Sequence, residues 1–212
     1  MNKSKESCKR SCIDCATTNC NLEDSVYPDF CLTTGMDEKV LARAMSAYED
    51  ETDRRISQVS ASVEHDGYMQ WTRVEELMVF AEMMGYHKLG IATCVGLIRE
   101  SRTLAQILRG RGFEVYGVAC KCGTQKKASV GCDPSCDELG PNMCNPVLQA
   151  ELLNEEGTDF NIVMGLCVGH DSLFFRHSEA PVTTLVAKDR VLAHNPCAAL
   201  YQADAYYKRL KK

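Results

Sequence analysis

Cysteine is the residue type in this chain with the clearest potential for chemistry. The 212 residues include 13 cysteines, a large share for a protein that shows no secretory signal. We expect a cytoplasmic location, where the reducing environment disfavours structural disulfides. A cysteine thiolate is both a nucleophile and a soft metal ligand. The cysteine content therefore predicts metal ligation or thiol chemistry.

A first group of cysteines lies near the N-terminus, with few large apolar residues between its members. The group consists of Cys8, Cys12, Cys15, Cys20 and Cys31. A segment that cannot bury a core needs another source of order, and metal ligation supplies one. We therefore predict a metal or cluster module over residues 1–35. The closely packed spacing favours a 4Fe-4S cluster, because structural zinc sites usually use two well-separated cysteine pairs; zinc is kept as the alternative.

In the remainder of the chain, segments with a strand-like hydrophobic pattern alternate with segments with a helical one. The runs LGIAT, FEVYGVA, FNIVMGL and PVTTLVA are typical of short buried strands, and helical patterns separate them. This alternation predicts an α/β fold of three layers, with a Rossmann-like, mostly parallel sheet of about four strands and helices on both faces. Residues 36–85 are predicted as a helical lead-in and residues 86–212 as the βαβ core, so that residues 36–212 form one α/β domain.

Several helix boundaries can be predicted from single residues. Thr72 and Glu75 have the spacing of a capping box and predict a helix over residues 72–84. Pro196 is suited to the first turn of a last helix, predicted over the C-terminal residues.

A second group of cysteines follows the predicted strands. Parallel strands end at one edge of the sheet, and open α/β sheets bind their ligands at this edge. The candidate cofactor-binding residues here are Cys94, Cys120, Cys122, Cys167 and His170, together with Cys144 from the insert after the second strand, whose position relative to this edge the spacing leaves open. Of these, Cys94, Cys120, Cys122 and Cys167 are the predicted metal ligands. Two strand ends share the sequence Cys-Val-Gly, and the glycine allows the backbone to turn closely around a bound group.

Charge and hydropathy narrow the range of partners. The formal net charge is −5 and the isoelectric point is about 5.6, so the chain lacks the basic footprint of a nucleic-acid-binding protein. No apolar run has the length needed to cross a membrane. We therefore expect a redox partner or a small-molecule substrate. The sequence selects no oligomeric state.

Longer strings extend the cysteine pattern to nearly the whole chain. Together with the N-terminal cysteines, the motifs ATCVGL, VACKCG and CNP and the string GLCVGHDSLFFRHSEAPVTTLVAKDRVLAHNP resemble a bacterial and archaeal family of uncharacterised, cysteine-rich metal-binding proteins. The resemblance implies metal ligation through cysteines in largely anaerobic organisms, a setting that suits oxygen-sensitive clusters.

Two classes of function follow. The first is a redox or sulfur-chemistry protein that carries one or two iron–sulfur clusters, one in the N-terminal module and a second centre at the strand ends. The alternative is a zinc-binding or metal-carrying module without catalysis. The number of cysteines in the α/β part exceeds what one structural zinc ion needs, which favours the first class.

Overall fold

The computed structural model describes residues 9–23 and 25–211. The predicted ligand Cys8 lies outside the described residues. The chain divides into two compact units, Met1–Gln58 and Val59–Lys212, and the boundary between them falls within one helix.

The first unit consists of short elements with little packing. It contains α1 (Leu32–Gly35), α2 (Glu38–Ser46) and the beginning of α3 (Glu51–Gly67). None of its described residues is buried. The helical pattern predicted over this region is interrupted at Ala47–Glu49, because the Asp50 carboxylate accepts hydrogen bonds from the following backbone N–H groups and so starts a new helix.

The second unit contains a four-stranded parallel sheet, which confirms the predicted α/β fold. Its strands are β1 (Lys88–Thr93), β2 (Glu114–Ala119), β3 (Phe160–Met164) and β4 (Val182–Val186). They lie in the order β2-β1-β3-β4. The central strand β1 pairs on both sides, so that Ile91 lies between Gly117 and Ile162.

Helices cover both faces of this sheet. They are α4 (Arg73–Met84), α5 (Ile98–Gly110), α6 (Pro146–Glu155) and α7 (His170–His177). Leu77 of α4 and Leu108 of α5 are buried in one core cluster with the sheet. Leu153 of α6 and Phe174 of α7 belong to a second cluster. The result is the three-layer arrangement predicted from the alternation of strands and helices.

Two helix ends illustrate how well local signals work. The predicted capping box is present at α4, where Thr72 Oγ1 accepts from the backbone N–H of Glu75 and the Glu75 carboxylate accepts from that of Thr72. The predicted C-terminal helix is much shorter than its pattern, since α8 comprises only Cys197–Tyr201. No residue described in 197–211 is buried, and a short helix without tertiary packing is marginal in water.

Within residues 9–23 and 25–211, none of the helices combines the length and the apolar character that spanning a bilayer requires.

Candidate functional site

Side chains with thiol, imidazole or cationic groups follow all four parallel strands at one edge of the sheet. We call this group of residues the rim. The rim consists of Cys94, Cys120, Lys121, Cys144, Cys167, His170, Lys188 and Arg190. Cys94 and Cys120 follow β1 and β2 directly. Their backbone N–H groups continue the sheet hydrogen bonding, to Met164 O at 3.1 Å and to Thr93 O at 2.8 Å. The scaffold of the sheet therefore sets the positions of these two cysteines.

Cys144 reaches the rim from a different part of the chain. The insert that follows β2 returns at Asn145, whose N–H donates to the carbonyl of Cys120 at 2.8 Å. The Asn145 side chain then caps α6 by accepting from Leu148 N at 3.0 Å. These two bonds place Cys144 beside Cys120, although 24 positions separate them in the sequence.

Cys94, Cys120 and Cys144 interact with one another. The contacts of Cys120 with Cys144 and Cys94 raise its own pKa above the ordinary thiol value. Its single proton is donated to one neighbour at a time, and the same contacts hold the pKa of Cys94 and of Cys144 well below that value. Backbone groups add further donors, from Gly96 N to Cys94 Sγ at 3.4 Å and from Val95 N to Cys120 Sγ at 3.5 Å. The arrangement favours a protonated thiol between two thiolates.

Positive charges surround these thiols. Lys188 lowers the pKa of Cys94 further, and Lys121 and then His170 lower the pKa of Cys144 further. Arg190 Nη2 donates to Cys167 Sγ at 3.2 Å, and this contact raises the pKa of Arg190. Cations beside a thiol favour the thiolate, which is the nucleophile and the metal ligand.

His170 has an available nitrogen. It is the first residue of α7, and its Nδ1 atom is buried without a hydrogen-bond partner. A buried imidazole nitrogen ordinarily has a partner, and an unpaired one is a common metal or substrate contact.

Gln149 holds the rim in place and carries no sequence signal of its own. Its side chain is fully buried, and Nε2 donates to Thr93 O at 3.1 Å and to Val118 O at 2.6 Å. These carbonyls lie at the ends of β1 and β2, so one amide on α6 ties together the two strands that carry Cys94 and Cys120.

Gly165 allows a close approach behind the rim. Its φ is +66°, and a Cβ atom there would lie 2.1 Å from Leu97 Cδ1. Only glycine fits both the backbone conformation and the space.

The four cysteines of the α/β part outside the rim are exposed. Cys122 was predicted as a rim ligand, and the structure places it in the exposed turn after β2. Cys132, Cys136 and Cys197 are exposed.

The N-terminal cysteines form a separate arrangement within the first unit. A cavity of about 140 Å³ is lined by Cys12, Cys15, Cys20 and Cys31. Four of the five cysteines predicted for this module therefore face one space.

Two of these cysteines lie in matching local sequences, Cys-Ala-Thr-Thr at residues 15–18 and Cys-Leu-Thr-Thr at residues 31–34. The hydroxyl of Thr17, 3.3 Å from Cys15 Sγ, lowers the pKa of Cys15, and backbone groups of Thr17 and Thr18 contribute. Thr33 lowers the pKa of Cys31 in the same way. Hydrogen bonds of this kind also tune cysteine-ligated clusters.

The donors do not converge on a single point. Over residues 9–23 and 25–211, no three cysteine, histidine, aspartate or glutamate side chains are arranged to hold a metal ion. The thiols line a cavity in the first unit, and at the rim of the second unit Cys120 interacts with Cys94 and with Cys144.

Fold and site together define a cysteine-rich α/β protein with thiols at one edge of its parallel sheet. A model of a protein family of unknown function, DUF1847, matches residues 31–185. An uncharacterised protein of Methanocaldococcus jannaschii is 46% identical over 180 residues, which cover 84% of this chain and 92% of the relative. The chain belongs to the DUF1847 family. Cys12, Cys15 and Cys20 precede the segment that the family model matches, and Lys188 and Arg190 follow it.

Sequence reasoning named the rim cysteines and His170 and did not name four other residues of the site, which are Lys121, Gln149, Lys188 and Arg190. Lys188 and Arg190 follow β4, at the same kind of position that identified the cysteines after the other strands. The strand-end rule could have found them. Gln149 lies in the middle of a helix, and only its burial identifies it.

Proposed function

We propose that this protein is a cysteine-ligated metalloprotein that acts in redox or sulfur chemistry. An N-terminal iron–sulfur cluster, of the 4Fe-4S type, would be held by Cys12, Cys15, Cys20 and Cys31. The rim would form a second centre, with Cys94, Cys120 and Cys144 as its thiol ligands. The observation that carries the proposal is the cavity lined by four cysteines.

The shared cavity of the four N-terminal thiols supports a cluster over a single ion. Tetrahedral thiolates on one zinc ion lie about 3.8 Å apart, given zinc–sulfur bonds of about 2.3 Å. The four cysteines line a cavity of about 140 Å³, which has room for a larger guest. In a 4Fe-4S cluster each thiolate binds a different iron, so the ligands surround a volume.

The lack of a buried core supports ligation in the same unit. None of its described residues is buried, so little apolar burial is available to offset the entropy of ordering the chain. Ligand binding that couples to folding would provide the missing free energy.

Donor chemistry supports the second centre. The rim presents three interacting thiols, and the Nδ1 atom of His170 is buried without a partner. When bound, a cluster would supply one-electron transfer or an open iron for sulfur chemistry. The residues of the chain would orient the bound species, and the surrounding cations would hold the thiols ionised.

The test is metal analysis and visible spectroscopy on protein purified without oxygen. We expect iron and acid-labile sulfide, with the visible absorption of an iron–sulfur cluster. The double variant Cys12→Ser/Cys15→Ser should lose the N-terminal site alone, and Cys120→Ser/Cys144→Ser should lose the rim site alone. The exposed pair Cys132→Ser/Cys136→Ser is the matched control. Colourless protein with stoichiometric zinc would instead support a non-catalytic zinc-binding or metal-carrying module.

A further inference from the structure

We propose that the rim binds a small oxyanion, an inorganic one or a carboxylate head group, between Lys188 and Arg190 and next to Cys94 and Cys167. This inference rests on the proposed function of the rim as a reaction centre, and it names the chemical class of its substrate.

The loop that carries the two cations is built by its own hydrogen bonds. His194 Nδ1 accepts from Asp189 N at 3.1 Å, and His194 N donates to Asp189 O at 2.8 Å. The Asp189 carboxylate accepts from Val191 N and Leu192 N, each at 2.9 Å. Lys188 and Arg190 flank an aspartate that is thus committed to the backbone, and the loop holds both at the end of β4.

The position of Lys188 follows from two glycines. A Cβ atom built on Gly96 would lie 3.7 Å from Cys94 Sγ and 4.0 Å from Lys188 Nζ, and one on Gly165 would lie 3.4 Å from Lys188 Cε. The ammonium group therefore lies near the ends of β1 and β3, and the Lys188 side chain is half-buried. The ammonium group also acts on the Cys94 thiol, whose pKa it lowers.

Within the described part of the chain, the two cations lack a carboxylate partner. Among the described residues, no ion pair includes Lys188 or Arg190. Asp171, at the start of α7, accepts from the backbone N–H groups of Gly169 and Ser172. Asp171 and Asp189, which are adjacent to rim residues in the sequence, therefore accept hydrogen bonds from the backbone. The neighbours of the two cations at the rim are thiols.

Lys188 and Arg190 have more hydrogen-bond donors than the thiols beside them can accept. An ammonium group has three N–H donors and a guanidinium group has five, whereas Lys188 acts on Cys94 and Arg190 donates to Cys167. The remaining donors at the end of β4 can bind an anionic guest.

Arginine geometry indicates the kind of anion. Arg190 uses Nη2 for Cys167, and its planar guanidinium carries further N–H donors in a fork that matches two oxygens of one oxyanion. Lys188 adds a point charge only one residue from Arg190 along the same loop. A guest that contacts both cations and lies within reach of two thiols is a compact head group.

The experiment is isothermal titration calorimetry on anaerobically purified, metal-loaded protein in low chloride, with sulfate and acetate as probes. We expect the unmodified protein to bind at least one of them. Arg190→Gln and Lys188→Met should each weaken binding by about tenfold or more, as expected for the loss of a charge-assisted hydrogen bond. Arg190→Lys keeps the charge without the fork and should fall between. Arg176→Gln, an exposed arginine on α7, is the control and should bind like the unmodified protein.

Metal analysis of the same samples separates this inference from the proposed function. Anion binding that depends on Lys188 and Arg190 in protein without rim metal would support the anion site and contradict the metal centre. A rim that holds metal, combined with no binding of either probe or with equal binding by all variants, would overturn the anion site and leave the metal centre standing.

Discussion

The two cysteine groups differ in what holds them in place. The N-terminal thiols line a cavity in a unit in which no described residue is buried. The rim thiols lie at the ends of a buried parallel sheet, where Cys94 and Cys120 are almost inaccessible. The proposed function therefore implies that the first arrangement would depend on its guest for order, whereas the scaffold pre-organises the second.

The comparison shows how the same residue type can be used in two ways. A guest-dependent site gains folding free energy when its ligand binds. A pre-organised site requires little rearrangement and can hold its thiols in defined ionisation states. The following predictions test this difference, from the largest expected effect to the smallest.

The largest effect is expected in the first unit. The variant Cys15→Ser/Cys31→Ser removes the two cysteines whose pKa the neighbouring Thr-Thr sequences lower. It should abolish metal binding in the first unit. Because little else orders this unit, trypsin should cleave much faster at Lys39 and Arg43. Cleavage rates and iron content are measured on anaerobic samples. Cys132→Ser/Cys136→Ser is the control, and unchanged protease resistance in the test variant would contradict guest-dependent order.

A buried amide should dominate the stability of the second unit near the rim. Gln149→Leu removes one donor from the carbonyl of Thr93 and one from that of Val118, although Thr93 O keeps the bond that Cys120 N donates to it. We expect a loss of about 2–3 kcal/mol in the free energy of unfolding. The fluorescence of Trp71, the single tryptophan, reports denaturant unfolding of this unit. The exposed Gln202→Leu should change it little. If both variants unfold at the same denaturant concentration, the hydrogen bonds of the Gln149 side chain do not stabilise the ends of β1 and β2.

The close approach at Gly165 should have a somewhat smaller effect. Gly165→Ala introduces a Cβ atom at positive φ and 2.1 Å from Leu97 Cδ1, and the strain should cost about 1–3 kcal/mol. In the control, Gly110→Ala, a Cβ atom meets nothing within 4 Å. The same Trp71 assay measures both variants. Equal stability of the two would show that the backbone behind the rim is more adaptable than the structure indicates.

The smallest effect concerns thiol ionisation at the rim in metal-free protein. Hydrogen bonds from Cys120 lower the pKa of Cys94 and Cys144, so these thiols should ionise below the ordinary value of about 8.5. Cys120→Ala removes the donor and should shift the thiolate absorbance titration to higher pH, whereas Cys120→Ser keeps a donor and should shift it less. Cys122→Ala is the control. A titration that is the same in all variants would contradict the interaction among the three thiols.

The same shifts predict a pH dependence of stability. A thiol with a lowered pKa in the folded state ionises there before it does so in the unfolded chain. The contribution of Cys94 and Cys144 to the stability of metal-free protein should therefore increase as the pH rises towards about 8.5 and fall in acid. Cys120→Ala should reduce this slope, which denaturant unfolding at several pH values measures.

Local signals in the sequence predicted most of the fold. The four apolar runs became the four strands, and the Thr72–Glu75 pair became a capping box. The C-terminal helix was wrong in length, because an amphipathic pattern does not reveal whether its apolar face finds a partner. The sequence named Cys144 as a site residue and did not place it at the rim, because a long insert precedes it. The hydrogen bond from Asn145 to Cys120, which fixes its position, cannot be predicted from the local sequence.

What the sequence by itself determined is the type and order of elements and the occurrence of cysteine after three strands, because these depend on periodicity and on the rule that parallel strands end at one edge. What only the tertiary structure decided is which thiols meet and which cations face them. At the rim, Cys120 lies beside Cys144, and Arg190 lies beside Cys167. Long-range hydrogen bonds and packing bring these pairs together, although their members are far apart in the sequence. Contacts of that kind depend on distances in space, and spacing along the chain does not contain them.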